Sequence, residues 1–258
     1  MAAPRPVPIM PETLSSPHAP AAPVGPSSMP LWSRVVGVIT SPRATFEWVA
    51  AHPSWLPMLA LTTCLTALAM GVFLSTEVGR QAYVDQTVSF MESWGRTVDD
   101  EGYAAIERQA AIAQYVNPAT ILLAFPLMTA LIAVFVYGIF SALYGGTATY
   151  RQLLAIVAHS GAVGLVQQLF SMPLNYARQS LSSPTNLSVF FPMLEEGSFL
   201  NALLGSIDLF ILWSLFAVAI GVGVVYKRPT RSAAVVLYVV YGIFIVGLAL
   251  ARTAFAGA

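Results

Sequence analysis

Long uncharged apolar runs alternate with short polar stretches along this chain. Residues 56–76 read LPMLALTTCLTALAMGVFLST, without one charge. An α-helix rises about 1.5 Å per residue, so about twenty residues cross a hydrocarbon core of about 30 Å. Four further runs have this character: 119–143, with Pro126 as an expected kink; 153–173, uncharged but carrying His159, Gln167 and Gln168; 202–226, containing Asp208; and 232–251. The pattern predicts an all-α fold: a polytopic membrane helix bundle of five transmembrane helices.

The segments between the runs have their own patterns. Residues 1–30 are rich in proline and alanine and bury little, which predicts a disordered cytoplasmic tail. They lack the apolar core of a secretory signal peptide. Residues 31–55 predict two amphipathic juxtamembrane helices. Leu31, Val35, Val38 and Ile39 share one stripe, with Trp32 and Val36 beside it. Ser41-Pro42 then marks a new start, a capping hydroxyl followed by the residue without an N–H, and Phe46, Val49 and Ala50 form the second stripe. Such helices lie on the membrane surface, pack on the cytoplasmic end of the bundle, or do both.

Residues 77–118 form a polar extracytoplasmic insert with two helical stripes. Val84, Val88 and Met91 make one; Tyr103, Ile106, Ala110 and Ala113 make the other. Thr97 followed by Asp99, Asp100 and Glu101 reads as a helix start with acids in its first turn. The expected result is a helical hairpin running into the second span at Asn117-Pro118. Residues 174–201, with prolines at 184 and 192 and many serines, predict an irregular loop with a short helix at most.

Composition agrees with lipid as the solvent. Apolar residues make up 57% and charged residues 9%, against about 45–50% and about 25% in soluble domains. Too little charge remains to cover a soluble surface. Net charge is zero, but its distribution orients the chain. With five spans and the N-terminus inside, the cytoplasmic side carries +5 and the outer side −4. The densest basic cluster, Lys227-Arg228-Pro229-Thr230-Arg231, then faces the cytosol, and the C-terminus lies outside. A four-span chain lacking the 153–173 crossing would turn that cluster outward. The lone cysteine, Cys64, sits in an apolar run and reads as a small packing residue.

Candidate chemistry is sparse. Asp208 is the single acid within an expected span; it is either a proton or ion relay or a packing and interfacial group. His159 is the only histidine in a span and has the same two readings. No HExxH zinc motif, Walker loop or dinucleotide fingerprint occurs. Glu195-Glu196 lacks the arginine that prenyl-protein-type membrane proteases place four residues on; Leu200 stands there. Gly205-Ser206 lacks the following glycine of a rhomboid-like elbow. No catalytic residue, cofactor or metal is expected, and nucleic-acid binding has no support. Small residues recur four apart: Gly138, Ala142 and Gly146; Ala217 and Gly221; Ala219 and Gly223. Such faces let helices approach closely, within the chain or between copies.

Several features coincide in one resemblance. A Pro-rich tail precedes Ser41-Pro42-Arg43-Ala44-Thr45-Phe46-Glu47-Trp48, and Trp55-Leu56-Pro57 opens a span. Gly145-Gly146-Thr147-Ala148-Thr149-Tyr150-Arg151-Gln152 follows the second span, and Met172-Pro173 lies late in the third. Over about residues 31–254 the chain resembles the Yip1 family of five-span membrane proteins, in its bacterial branch. The resemblance implies a cytoplasmic N-terminus, an outward C-terminus and a turn built on Gly145, Gly146 and Gln152. In eukaryotes the family engages lipidated small GTPases. Eleven arginines to one lysine in an alanine-rich chain suggest a GC-rich bacterium, without that machinery.

The expected function is therefore a non-enzymatic adaptor or organiser in a bacterial inner membrane. Its partners are the lipid bilayer and a protein partner or second copy. The alternative is a small transporter or channel component, with Asp208, His159, Gln167 and Gln168 lining a polar path.

Overall fold

The computed structural model describes residues 28–146, 148–195 and 197–256. Nearly all of the expected N-terminal tail, with Thr147 and Glu196, lies outside them. The described residues are helical throughout, apart from connections and one isolated antiparallel bridge between Asn186 and Asp208. In order they form α1 (Leu31–Thr40), α2 (Pro42–Ala51), α3 (Leu56–Ser75), α4 (Glu77–Glu92), α5 (Asp100–Tyr144), α6 (Tyr150–Ser160), α7 (Ala162–Arg178), α8 (Phe199–Gly205), α9 (Leu209–Val225) and α10 (Thr230–Ala256). A short 3-10 turn, Leu187–Phe190, precedes α8.

Four helices are long and apolar enough to cross a membrane: α3, α5, the near-continuous α6–α7 pair and α10. The expected span at 202–226 is divided instead. α8 ends at Gly205, residues 206–208 leave the helix, and α9 starts at Leu209 with 17 residues, about 26 Å of helix. Averaged hydropathy cannot register this break. Gly205 and Ser206 weaken the helix, and Asp208 accepts the N–H groups of Phe210 and Ile211 as the cap of a fresh one.

Among the four long helices the two less apolar are the more buried, as a lipid-facing fold requires. The most apolar stretch of α5 is 17% buried, while that of the less apolar α6–α7 is 56% buried. Leu153 to Ser160 are buried without interruption, and so are Ala217 to Gly223. α6 and the second half of α9 therefore form the centre of the bundle, while Leu209, Ile211 and Phe216 in the first half of α9 are exposed. α6 and α9 meet at Gly221, where an added Cβ would overlap Ile156. The third expected span reads weakly in the sequence because its first half, α6, is interior and needs no lipid-facing surface; Leu169 and Phe170 of α7 are exposed.

α1 and α2 make a hairpin with one face in the bundle. Val35, Val38 and Phe46 pack with Met58, Ile156 and Ala217, while Trp32 and Val36 are exposed. The two helices cross closely at Gly37, where a Cβ would overlap the Thr45 hydroxyl. Arg34 lies over the Trp48 ring at 4.7 Å and donates to Ser54 Oγ at 2.9 Å. The expected Ser41 hydroxyl cap does not form. The Ser41 carbonyl instead accepts Thr45 N–H at 3.1 Å and Thr45 Oγ1 at 3.0 Å.

At the opposite end, α5 runs 45 residues, through both Pro118 and Pro126. That is about 68 Å, twice a hydrocarbon core. Its cap is Asp99, accepting Gly102 N–H at 2.8 Å, rather than Thr97. α4 packs along its first turns, Val84 against Ile106 and Ala110.

The α9–α10 turn is a Schellman motif. Arg228 N–H donates to Gly223 O at 2.9 Å and Lys227 N–H to Val224 O at 3.3 Å. Lys227 holds the left-handed position, φ 52°, where glycine is usual; a residue with a Cβ costs roughly 1 kcal/mol there.

Contrasting glycine substitutions test the packing. Gly221→Ala should destabilise by about 1–3 kcal/mol through overpacking on Ile156. Gly138→Ala, with open space around it, should leave the melting temperature unchanged or slightly raised. Thermal unfolding of both variants in detergent checks this. Equal melting of the two would contradict the α6–α9 contact.

Candidate functional site

Most of the polar side chains singled out in the sequence meet at helix junctions. Asp208 is 5% exposed, yet its carboxylate collects five donors. Oδ1 accepts Phe210 N–H at 2.8 Å, Ile211 N–H at 3.3 Å and, more weakly, Gln167 Nε2 at 3.4 Å. Oδ2 accepts Thr185 Oγ1 at 2.7 Å and the Ser183 hydroxyl. Backbone pairing reinforces the site: Leu187 N–H donates to Ile207 O at 2.9 Å and Leu209 N–H to Thr185 O at 3.2 Å. Tyr241 of α10 donates its hydroxyl to Ser206 O at 2.6 Å. The break between α8 and α9 is thus closed by the segment before it, by α7 and by α10.

Sequence reasoning placed Asp208 inside a span and left 174–201 as an irregular loop. The structure makes Asp208 a helix cap, extends α7 through Pro173 to Arg178, and folds residues 183–190 back onto the break. Ser183, Thr185, Asn186 and Tyr241 were missed. The Ser183-Pro184-Thr185-Asn186 run is a signal for local side-chain-to-backbone bonding, but nothing in the sequence points it at residue 208, some twenty residues away.

His159 does not join this cluster. It is completely buried in α6, and its Nδ1 donates to Ala155 O at 2.7 Å, one turn back. Nε2 is buried and makes no hydrogen bond. Gln167 and Gln168, adjacent in α7, point to different helices. Gln167 reaches Asp208, while Gln168 donates to Thr66 Oγ1 of α3 at 2.6 Å. The four residues therefore form no single polar path: Gln167 with Asp208 makes one tie between helices, Gln168 another, and His159 bonds within its own helix.

The Gly145–Gln152 turn is a junction as well. Gly145 ends α5 at φ 85°, a conformation suited to glycine. Thr149 and Gln152 form a capping box at the start of α6. Gln152 also donates Nε2 to Ala50 O at 3.0 Å, and Arg151 donates Nε to Pro53 O at 3.1 Å. These two side chains hold the α2–α3 connection against the α5–α6 turn. Gly146 is exposed, with open space where a Cβ would be.

The small-residue pairs divide between inside and outside. Ala217, Ala219, Gly221 and Gly223 are buried within the chain, whereas Gly138, Ala142 and Gly146 are exposed. Cys64, expected to pack, sits on the exposed face of α3. Among the described residues no three His, Cys, Asp or Glu side chains cluster in a way that could hold a metal ion.

Substitutions at Asp208 separate a latch from a relay. Asp208→Ala leaves five donors without their acceptor in an enclosed site and should cost about 3 kcal/mol or more. Asp208→Asn keeps one acceptor oxygen, and the Ser183 and Thr185 hydroxyls can turn to accept from its amide, so about 1 kcal/mol is expected. Melting in detergent and the rate of tryptic cleavage after Arg178 report both. Asp208→Ala behaving like the unsubstituted chain would contradict the latch.

Comparison with known proteins gives one result. A family model described as the Yip1 domain matches residues 36–251. No curated protein and no solved structure matches the chain.

Proposed function

The chain belongs to the Yip1 family, and from that membership we propose that it is a non-enzymatic membrane adaptor or organising protein. It is a multi-pass membrane protein whose long helices expose apolar faces. The observation that carries the proposal is the use to which the polar residues are put. Asp208, Gln167, Gln168 and Gln152 are each engaged in bonds that tie one helix to another. A relay or a reaction centre needs such groups turned toward a path or a substrate. This arrangement favours a rigid scaffold over the transporter alternative.

On this reading α9 serves as the fourth of five spans. Its 17 residues lie at the short end of the spanning range of about 17–25, and the folded 183–208 segment fills the remaining thickness. The N-terminus and the Lys227–Arg231 turn lie in the cytoplasm of a bacterium, and the C-terminus lies outside the inner membrane. α1, α2 and the Gly145–Gln152 turn form the cytoplasmic face that a protein partner meets. The exposed Gly138–Ala142 face of α5, with Gly146 just beyond its end, is the route for self-association.

A reporter fused after Ala258 should be active only outside the cytosol, and one inserted between Arg228 and Pro229 only inside. The reverse result would overturn the orientation. Crosslinking in native membranes followed by affinity capture should return a reproducible partner or a dimer. Repeated recovery of the uncrosslinked monomer, or ion or proton flux from reconstituted vesicles that Asp208→Asn abolishes, would overturn the adaptor reading.

A further inference from the structure

We propose that the cavity between α2 and the α9–α10 turn binds the phosphate headgroup of an anionic phospholipid. The cavity has a volume of about 460 Å³ and is lined by Arg43 and Glu47 of α2, by the end of α9, and by Lys227, Arg228 and Pro229. Its charge is unbalanced toward the positive. Glu47 is already paired with Arg43 at 3.2 Å. Lys227 and Arg228 make no ion pair among the described residues. The carbonyls of Gly223 and Val224, which would repel an anion, are taken up by the N–H groups of the turn itself. Two bases therefore line a concave site with no anionic side chain paired to them among the described residues.

A second, independent feature concerns Lys227. It holds the left-handed position of the Schellman turn, and the turn uses only its backbone. Glycine would make the same bonds without strain. The fold gives no reason for a lysine there; an anion in the cavity does.

The location favours a lipid over a free ion. The cavity sits where the apolar α9 ends and the lipid-facing α10 begins. Arg228 lies 5.5 Å over the ring of Tyr144, whose hydroxyl bonds Ser232 at 2.6 Å, and Tyr226 bonds Ser141 at 3.0 Å. Tyrosines and bases at a helix end mark the depth of the headgroups. Basic pockets between helices at that depth recognise anionic headgroups. This site borders the α2 face assigned above to a protein partner, but its argument does not depend on the adaptor reading.

The test uses the full chain, reconstituted in equimolar phosphatidylglycerol and phosphatidylcholine and re-extracted in non-ionic detergent. Mass spectrometry of the retained lipid gives the enrichment of the anionic species. The unsubstituted chain should enrich phosphatidylglycerol, and Lys227→Gly and Arg228→Gln should each lower the enrichment about five-fold. Lys227→Gly should melt at or above the original temperature, so its loss of lipid cannot be blamed on unfolding. Arg108→Gln, an equal charge loss on the exposed side of α5, should keep the enrichment. No enrichment by the unsubstituted chain, or full enrichment by Lys227→Gly and Arg228→Gln, overturns the proposal. Displacement of phosphatidylglycerol by an equal concentration of inorganic phosphate would assign the site to free phosphate and overturn the lipid.

Discussion

Lipid supplies no hydrogen bonds, so a polar group carried into it must find its partner within the chain. Nearly every polar feature of this fold follows from that constraint. The break between α8 and α9 exposes backbone groups and carries a carboxylate. Both are satisfied locally, the N–H groups of α9 by Asp208 and Asp208 by the hydroxyls of Ser183 and Thr185. A buried charge without such donors would cost several kcal/mol, on the order of the whole stability of a small domain. Residues 183–190 fold over the break because its polar groups require partners there.

The same constraint sorts the helices. Few residues of the apolar stretches of α5 and α10 are buried, whereas α6 and the second half of α9 are enclosed. Enclosed helices can carry a histidine or a close glycine contact, as at His159 and Gly221, because protein surrounds them. Lipid-facing helices carry mostly aliphatic and aromatic residues.

The two ends of the bundle are built differently. One end is a set of tight junctions: the α5–α6 turn gripping the α2–α3 connection through Arg151 and Gln152, and the α9–α10 Schellman turn. The other extends into the long α4–α5 hairpin and the folded segment over α9.

Much of this was legible in the chain. Membership of the Yip1 family, resting on Ser41–Trp48, Gly145–Gln152 and Met172-Pro173, is borne out by the match over 36–251. An all-α membrane bundle followed from hydropathy, because the signal is a sum over about twenty residues and survives local error. The site was less legible. Asp208, Gln167, Gln168 and Gln152 could be picked out as polar residues in unusual places, but their partners lie up to 102 positions away. Which helix is interior and how the break in the expected fourth span is closed were decided by tertiary packing alone. Composition fixes the solvent a helix can tolerate, whereas a hydrogen bond or a close contact depends on which distant residue arrives beside it.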